Sequence, residues 1–322
     1  MPGDRRITIA DVARTAKVSR SLVSFVLNGR NKDVAPATRV RILQTIEELG
    51  YRPNAVARNL ARKRAGTIGI VCDMETYQDP LDMQFLAVIL TTVSQMERRV
   101  MLIPADDRQI QEVAEDYAVD GIIFLDEREC DPRITHLLDM GLPAVGLWGD
   151  HWGAALRESF EELALHLESR GHQHVVCLCE PGDKLFVTKF KQTLMDSLQG
   201  HSIEATVYHC PPDTEAEMTH TVARVLKENR ATAIVVSSDK LAINAIHALH
   251  AMRLRVPDDC AVTGFGDVPA SQWAQPPLTT IRVRVKAIAV WAVTRVFKEE
   301  GTDKRQTLPN VVGSRLIVRR SC

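Results

Sequence analysis

From Thr67 onward the chain alternates short, unbroken apolar runs with amphipathic stretches, and no other feature narrows its fold as much. The runs TIGIV, RVMLIP, DGIIFL and PAVGLW are followed, after Asp150, by HVVCLC, ATVYHC, TAIVVS and CAVTGFG. Runs this short, without polar alternation, suit parallel strands covered on both faces. Between them lie MQFLAVILTTVSQME, IQEVAEDYAV, ELALHLESRG, LFVTKFKQTLMDSLQ and LAINAIHALHAM, whose apolar residues recur at helical spacing. Two such series predict an α/β body of two doubly wound parallel-sheet lobes. With 322 residues, 45% of them hydrophobic, the chain can bury cores of that size and has room for two or three domains.

The first 66 residues read differently. They hold 14 Lys/Arg against 5 Asp/Glu, and the remainder holds 26 against 36, so the net charge of −1 hides a basic head on an acidic body. Such segregation points to an anionic partner for the head alone, nucleic acid foremost. No apolar run reaches the ~18 residues of a membrane helix, and the start MPGDRRITIAD has no secretory h-region. Seven cysteines without framework spacing suit free thiols in a reducing compartment. The expectation is a cytoplasmic protein with no membrane partner.

Within the head, Thr8 and Asp11 of TIADVARTA have the form of a capping box, and Val12, Ala13 and Ala16 share one face. KVS makes a short turn, and Ser19 is a good N-cap for a second helix running to Asn28. Ala13, Val18, Val23 and Val26 or Leu27 are small or branched, as two closely crossing helices require. This is the packing pattern of an all-α helix-turn-helix, whose second helix enters the major groove by its N-terminal end. Arg20 and Ser21 then stand on its reading turn. Arginine can fork onto guanine O6 and N7 or hold a phosphate, and serine can donate or accept. Phe25 falls outside the apolar stripe of Leu22, Val23, Val26 and Leu27. It meets either a thymine methyl or sugar, or a neighbouring helix. PATRVRILQTIEELG supplies a third helix with Pro36 near its start, apolar Ile42, Leu43, Ile46 and Leu49, and Gly50 as C-cap. A short basic helix within YRPNAVARNLARKRAG follows; it is marginal alone and forms when a partner copy and DNA offset its ordering.

ITIADVARTAKVSRSLVSFVLNG, TRVRILQTIEELGYRPNAVARNL and GTIGIV resemble the LacI/GalR family of bacterial transcription regulators. LESRGHQHV, SSDKLAINAIHAL, VPDDCAVTGFGD, PPLTTIRV and RLIVRRS extend the likeness more thinly. The resemblance implies a helix-turn-helix domain over 1–52, a hinge helix and linker over 53–65, and a two-lobed effector-binding and dimerisation domain over 66–322. It makes the lobes periplasmic-binding-protein-like, with the first about 66–150 plus 284–307 and the second about 151–283 plus 308–322. KAIAVWAVTRVF thus returns to the first lobe. The implied partners are a near-palindromic double-stranded operator, a second copy of the chain (dimer, with tetramer left open) and a small-molecule effector; no cofactor is implied. The DNA-contacting positions it suggests begin with Thr8, Lys17, Ser19, Arg20, Ser21, Ser24, Phe25, Asn28 and Arg30 in the helix-turn-helix. Tyr51, Asn54, Ala57, Arg58 and Leu60 continue them around the hinge, where Leu60 wedges a minor-groove base step. The chain departs from the family at Lys17, where glycine is usual in the turn, and at Phe25, where arginine is common. The loop GRNKD is one residue longer than in some relatives. A non-standard operator follows.

Ligands in such sheets bind at the carboxyl ends of strands, which nominates Asp73, Trp148, Glu158, Phe190, Ser238, Gly266 and Asp267. The family's pocket pattern is poorly kept. An aspartate that holds sugar hydroxyls aligns with Glu158, an arginine with Phe190, an asparagine with Ser238 and a second aspartate with Gly266, while Lys189 or Lys191 offers an alternative charge. Losing most of a charge-assisted network argues against a plain hexose. It leaves three readings: another ligand, none, or a partner protein as signal. Trp148 and Trp152 either stack on a ring ligand or finish a strand.

Other motifs weigh less. On a strand, Cys177 and Cys179 of GHQHVVCLC share a face opposite His174, so no zinc site is expected. GFGDVP lacks the third glycine of a dinucleotide fingerprint, and no G-x-S-x-G, P-loop or H-E-x-x-H occurs. Neither a catalytic set nor an enzyme is expected. A solute-binding protein that merely shares the fold is disfavoured by the basic head.

Overall fold

The computed structural model describes residues 7–27, 34–51, 65–72, 79–116, 118–149, 153–181, 184–210, 215–297 and 314–322. The chain divides into two compact units, Met1–Ala65 and Gly66–Cys322.

The first unit holds helices α1 (Ile9–Thr15), α2 (Arg20–Leu27) and α3 (Pro36–Glu48). Its core is Val12, Ala13, Ala16, Val23, Val26, Val34 and Ile42, with Phe25 and Tyr51 packed against it. The two alanines let α1 and α2 approach closely. The α1–α2 turn has Lys17 in the left-handed region at φ 52°. There Val18 N–H donates to Ala13 O (3.0 Å) and Lys17 N–H to Arg14 O (3.2 Å), the paired bonds of a Schellman ending. Glycine takes that position at no steric cost, whereas lysine costs about 1–2 kcal/mol. Of the apolar residues expected to close the core from α3, Leu43 instead points outward, 45% exposed, and Thr45 is buried. Thr45 tolerates burial because its hydroxyl donates to Arg41 O at 2.9 Å.

The second unit contains two sheets. The first lobe is built on β1 (Thr67–Cys72), β2 (Arg99–Pro104), β3 (Ile122–Phe124) and β4 (Ala144–Gly146), ordered β2-β1-β3-β4 and all parallel. Helices α4 (Pro80–Gln95), α5 (Asp107–Glu115) and α6 (Pro132–Asp139) connect them. After β4 the chain enters α7 (Gly153–Ser169) and a second lobe. This holds β5 (His174–Cys179), α8 (Leu185–Gly200), β6 (Glu204–His209), α9 (Glu215–Asn229), β7 (Ala233–Val236), α10 (Asp239–Ala251), β8 (Ala261–Gly266) and β9 (Thr279–Arg282). Helix α11 (Val285–Val296) then packs back on α4, and β10 (Arg315–Ile317) returns to pair antiparallel with β9. The second sheet runs β10-β9-β8-β7-β5-β6. β1, β3, β5, β7 and β8 are wholly or almost wholly buried, which their unbroken apolar sequences anticipated.

A polar knot fixes the middle of the second sheet. Asp239, 1% exposed at the start of α10, accepts from Val268 N–H (2.8 Å), Ser271 Oγ (2.6 Å) and Thr280 Oγ1. Gly264 lies beneath it: a Cβ there would stand 2.3 Å from the Asp239 carboxylate and 2.9 Å from Leu278. Among the described residues no helix is long and apolar enough to cross a membrane.

Candidate functional site

In the first unit, α2 presents its first turn to solvent. Ser19 Oγ accepts from Leu22 N–H at 3.2 Å, and Arg20 and Ser21 are exposed beside it. Thr8 is exposed at the start of α1, where the Asp11 carboxylate accepts from both its N–H (3.0 Å) and its hydroxyl (2.6 Å). Lys17 is exposed in the turn between the two helices, while Ser24 and Phe25 are half-buried. Arg20, Ser21, Lys17 and Thr8 therefore form a polar surface on a rigid helix pair, with no carboxylate in the first turn of α2. That surface suits a polyanion with hydrogen-bonding edges. Phe25 is half-buried and packs in part against the head's own core. Asn28, Arg30, Asn54, Ala57, Arg58 and Leu60 lie outside the described residues.

In the second unit the carboxyl ends of both sheets meet. Six rings form one cluster there: Phe85 and Trp148 from the first lobe, Phe160, Phe186, Phe190 and Phe265 from the second. Trp148 lies 5.6 Å from Phe85, 4.4 Å from Phe186 and 6.4 Å from Phe265, centroid to centroid. Phe190 lies 5.0 Å from Phe160 and 5.6 Å from Phe265. The backbone joins the lobes too, since Leu185 N–H donates to Glu127 O at 2.9 Å and Arg128 bridges antiparallel to Lys184.

Around these rings the nominated effector residues take several roles. Trp148 and Phe190 are 4% and 1% exposed, within the cluster. Ser238 caps α10 by accepting from Leu241 N–H at 3.2 Å. Asp267 is held between Arg319 Nη2 (2.6 Å) and Arg282 Nε, so both its oxygens are committed. Gly266 ends β8 at φ 126°. Glu158 is exposed on α7, about 200° around the helix from buried Leu156 and Phe160. Asp73 and Trp152 lie outside the described residues.

The sequence reading missed the charged groups at this junction. Burial pushes Asp79 and Glu180 above the usual carboxylate range. Burial first, then the charges of Asp79, Glu180 and Asp126, raise Asp82 to about 7, against the pull of Lys184. Glu127 is 2% exposed beneath Gly146, where a Cβ would strike its carboxyl group. Its Oε1 accepts from Trp148 N–H, Oε2 has no hydrogen-bond partner among the described residues, and burial raises it to about 8. The available signal was position, because Asp126 and Glu127 follow β3 closely and Glu180 directly follows β5.

Comparison with known proteins matches both units. The description "Bacterial regulatory proteins, lacI family" fits residues 8–54, and "Periplasmic binding protein-like domain" fits residues 164–322. The chain is 29% identical over 321 residues to catabolite control protein A of Priestia megaterium, covering 92% of this chain and 94% of that one. It is also 29% identical over 325 residues to the HTH-type transcriptional repressor PurR of Vibrio vulnificus, covering 92% and 94%. In fold it is similar to the lac repressor dimer bound to operator and the anti-inducer ONPF, with TM-score 0.82, 22% identity and coverage of 98% and 99%.

Proposed function

This chain belongs to the LacI family of bacterial regulatory proteins, and on that premise we propose that it represses transcription by gripping a near-palindromic operator as a homodimer. It is a DNA-binding transcriptional regulator; the operator, the dimer and the sign of regulation are our reading. The observation that carries it is the exposed first turn of α2, with Arg20 and Ser21 on a helix fixed by the Ser19 cap and the Lys17 turn. Each copy lays α2 in the major groove of one half-site, and the hinge over 53–65 brings Leu60 to the minor groove. A second copy has a surface to cover, because Met83 and Leu90 on α4 and Met101 and Leu102 on the edge strand β2 are 36–45% exposed.

The two-lobed unit sets operator affinity through the relative arrangement of its lobes, and an effector acts only as far as it prefers one arrangement. Three of the residues nominated for an effector offer a hexose little, since Asp267 is paired with arginines and Phe190 and Trp148 are buried. The acidic groups Asp79, Asp82 and Glu180 at the junction's edge support the alternative of a non-standard effector. The reading without an effector is favoured by one observation, the ring cluster filling the junction.

Selection of bound duplexes from a random pool tests the DNA assignment. The expected result is a two-half-site motif whose affinity falls steeply with salt. Binding without sequence preference, or without salt dependence, overturns it.

A further inference from the structure

Aromatic side chains concentrate at the lobe junction. Five of the chain's eight phenylalanines, together with Trp148, gather at this one place. The ring contacts run without a break from Phe85 of α4, through Trp148 beyond β4, to Phe186 and Phe190 of α8 and Phe265 of β8. They therefore cross from one sheet to the other. Phe186 is the half-buried outer member, and it touches both sides, 4.4 Å from Trp148 and 5.0 Å from Phe265. Beside it the chain seals the junction with backbone, through Leu185 N–H on Glu127 O and the Arg128–Lys184 bridge. Asp267, at the carboxyl end of β8, is spent internally on Arg282 and Arg319.

We propose that Phe186 and Trp148 act as a built-in clasp that occupies the ligand position and holds the lobes closed, so that operator affinity is set without a small-molecule effector. The proposal rests on the regulator reading above and selects its effector-free form. Packed rings supply between the lobes the apolar contact that a bound molecule supplies in an open cleft. A solute shifts the lobe equilibrium only if it binds one arrangement better than the other. One entering here must first displace rings already in contact. The closed state is thus the resting state, and regulation acts by loosening the clasp or through the amount of protein present.

The test uses full-length protein, its selected operator, and two readouts. Operator Kd is measured alone and with millimolar glucose, glucose 6-phosphate, adenosine or putrescine, and lobe separation is measured by small-angle scattering. For the unaltered protein every Kd stays within roughly twofold. Phe186→Ala changes Kd by roughly tenfold or more and widens the lobe separation, and millimolar indole or benzene, filling the vacated space, reverses both. Phe186→Leu keeps the space apolar and retains the original Kd, which separates loss of the clasp from general damage. A panel member that shifts the unaltered protein's Kd by more than roughly fivefold overturns the clasp. So does Phe186→Ala with unchanged Kd and unchanged scattering. If no operator is ever selected, the DNA reading fails, while scattering of Phe186→Ala with and without indole still decides the clasp.

Discussion

Replacing Glu127 by glutamine removes a titrating group from the lobe junction while keeping its shape. Burial raises this carboxyl from 4.5 to about 8; the backbone amides of Trp148 and Leu147 oppose the rise and the charge of Asp126 adds a little. The sign follows from proton linkage. Between those values the folded chain holds a proton that the unfolded chain has released, so the stabilisation is complete below 4.5 and is lost as the pH climbs to about 8. At ~1.36 kcal/mol per pH unit, that interval corresponds to a loss on the order of 4–5 kcal/mol. Glu127→Gln has no proton to lose there, and its carbonyl still accepts from Trp148 N–H. Urea unfolding followed by circular dichroism from about pH 5 to about pH 8 compares the two proteins. The stability difference, variant minus original, should grow by roughly 1 kcal/mol per pH unit. Asp82, Asp79 and Glu180 are present in both proteins, so their titration largely cancels in that difference. Parallel profiles would refute the assignment of a protonated Glu127 to the folded state.

Three further outcomes are expected. Lys17→Gly relieves the left-handed turn, so α1–α2 amide hydrogens should exchange more slowly by an amount equivalent to about 0.5–1 kcal/mol after glycine's extra unfolded freedom is deducted; faster exchange would show that the turn carries no strain. Gly264→Ala drives a methyl group against Asp239 and Leu278 and should cost about 2–4 kcal/mol in urea unfolding, with a neutral result showing that α10 can retreat. His201 binds Glu161 through Nε2 (2.7 Å) and Glu168 through Nδ1 (2.9 Å), and these carboxylates raise its pKa. Its clamp between α7 and the end of α8 is therefore complete below the ordinary histidine value and fades above the raised one. An NMR titration of its ring should move downward in Glu161→Gln, and an unmoved midpoint would sever the link.

The sheets were legible because parallel strands buried on both faces write themselves as apolar runs, as HVVCLC does residue for residue in β5; RVMLIP also matches β2 residue for residue, although that edge strand leaves most of its run exposed. The left-handed α1–α2 turn was legible only through the resemblance, whose usual glycine stands where this chain has Lys17 at φ 52°. β10 was not read as a strand because its three residues gain their pairing only from β9, more than thirty residues earlier. α6 and α9 were missed because their polar-rich sequences bury few residues each. The ring cluster joins positions 85, 148, 160, 186, 190 and 265, and no spacing rule ties such distant residues. Asp267 looked available from sequence because Arg282 and Arg319 approach it only once the second sheet has formed.

The route of the chain through the lobes also bears on the order in which the protein can be made. The first lobe lacks α11 until synthesis has passed Val296, and the second lacks its edge strand until Ile317 and its Ser321 bond to Val262 still later. During translation both lobes therefore stay unfinished until nearly the same moment, long after the helices of the head have left the ribosome. A nascent chain would carry a complete reading surface for most of its synthesis with no finished body to govern it, and a gene cut between the lobes would yield neither.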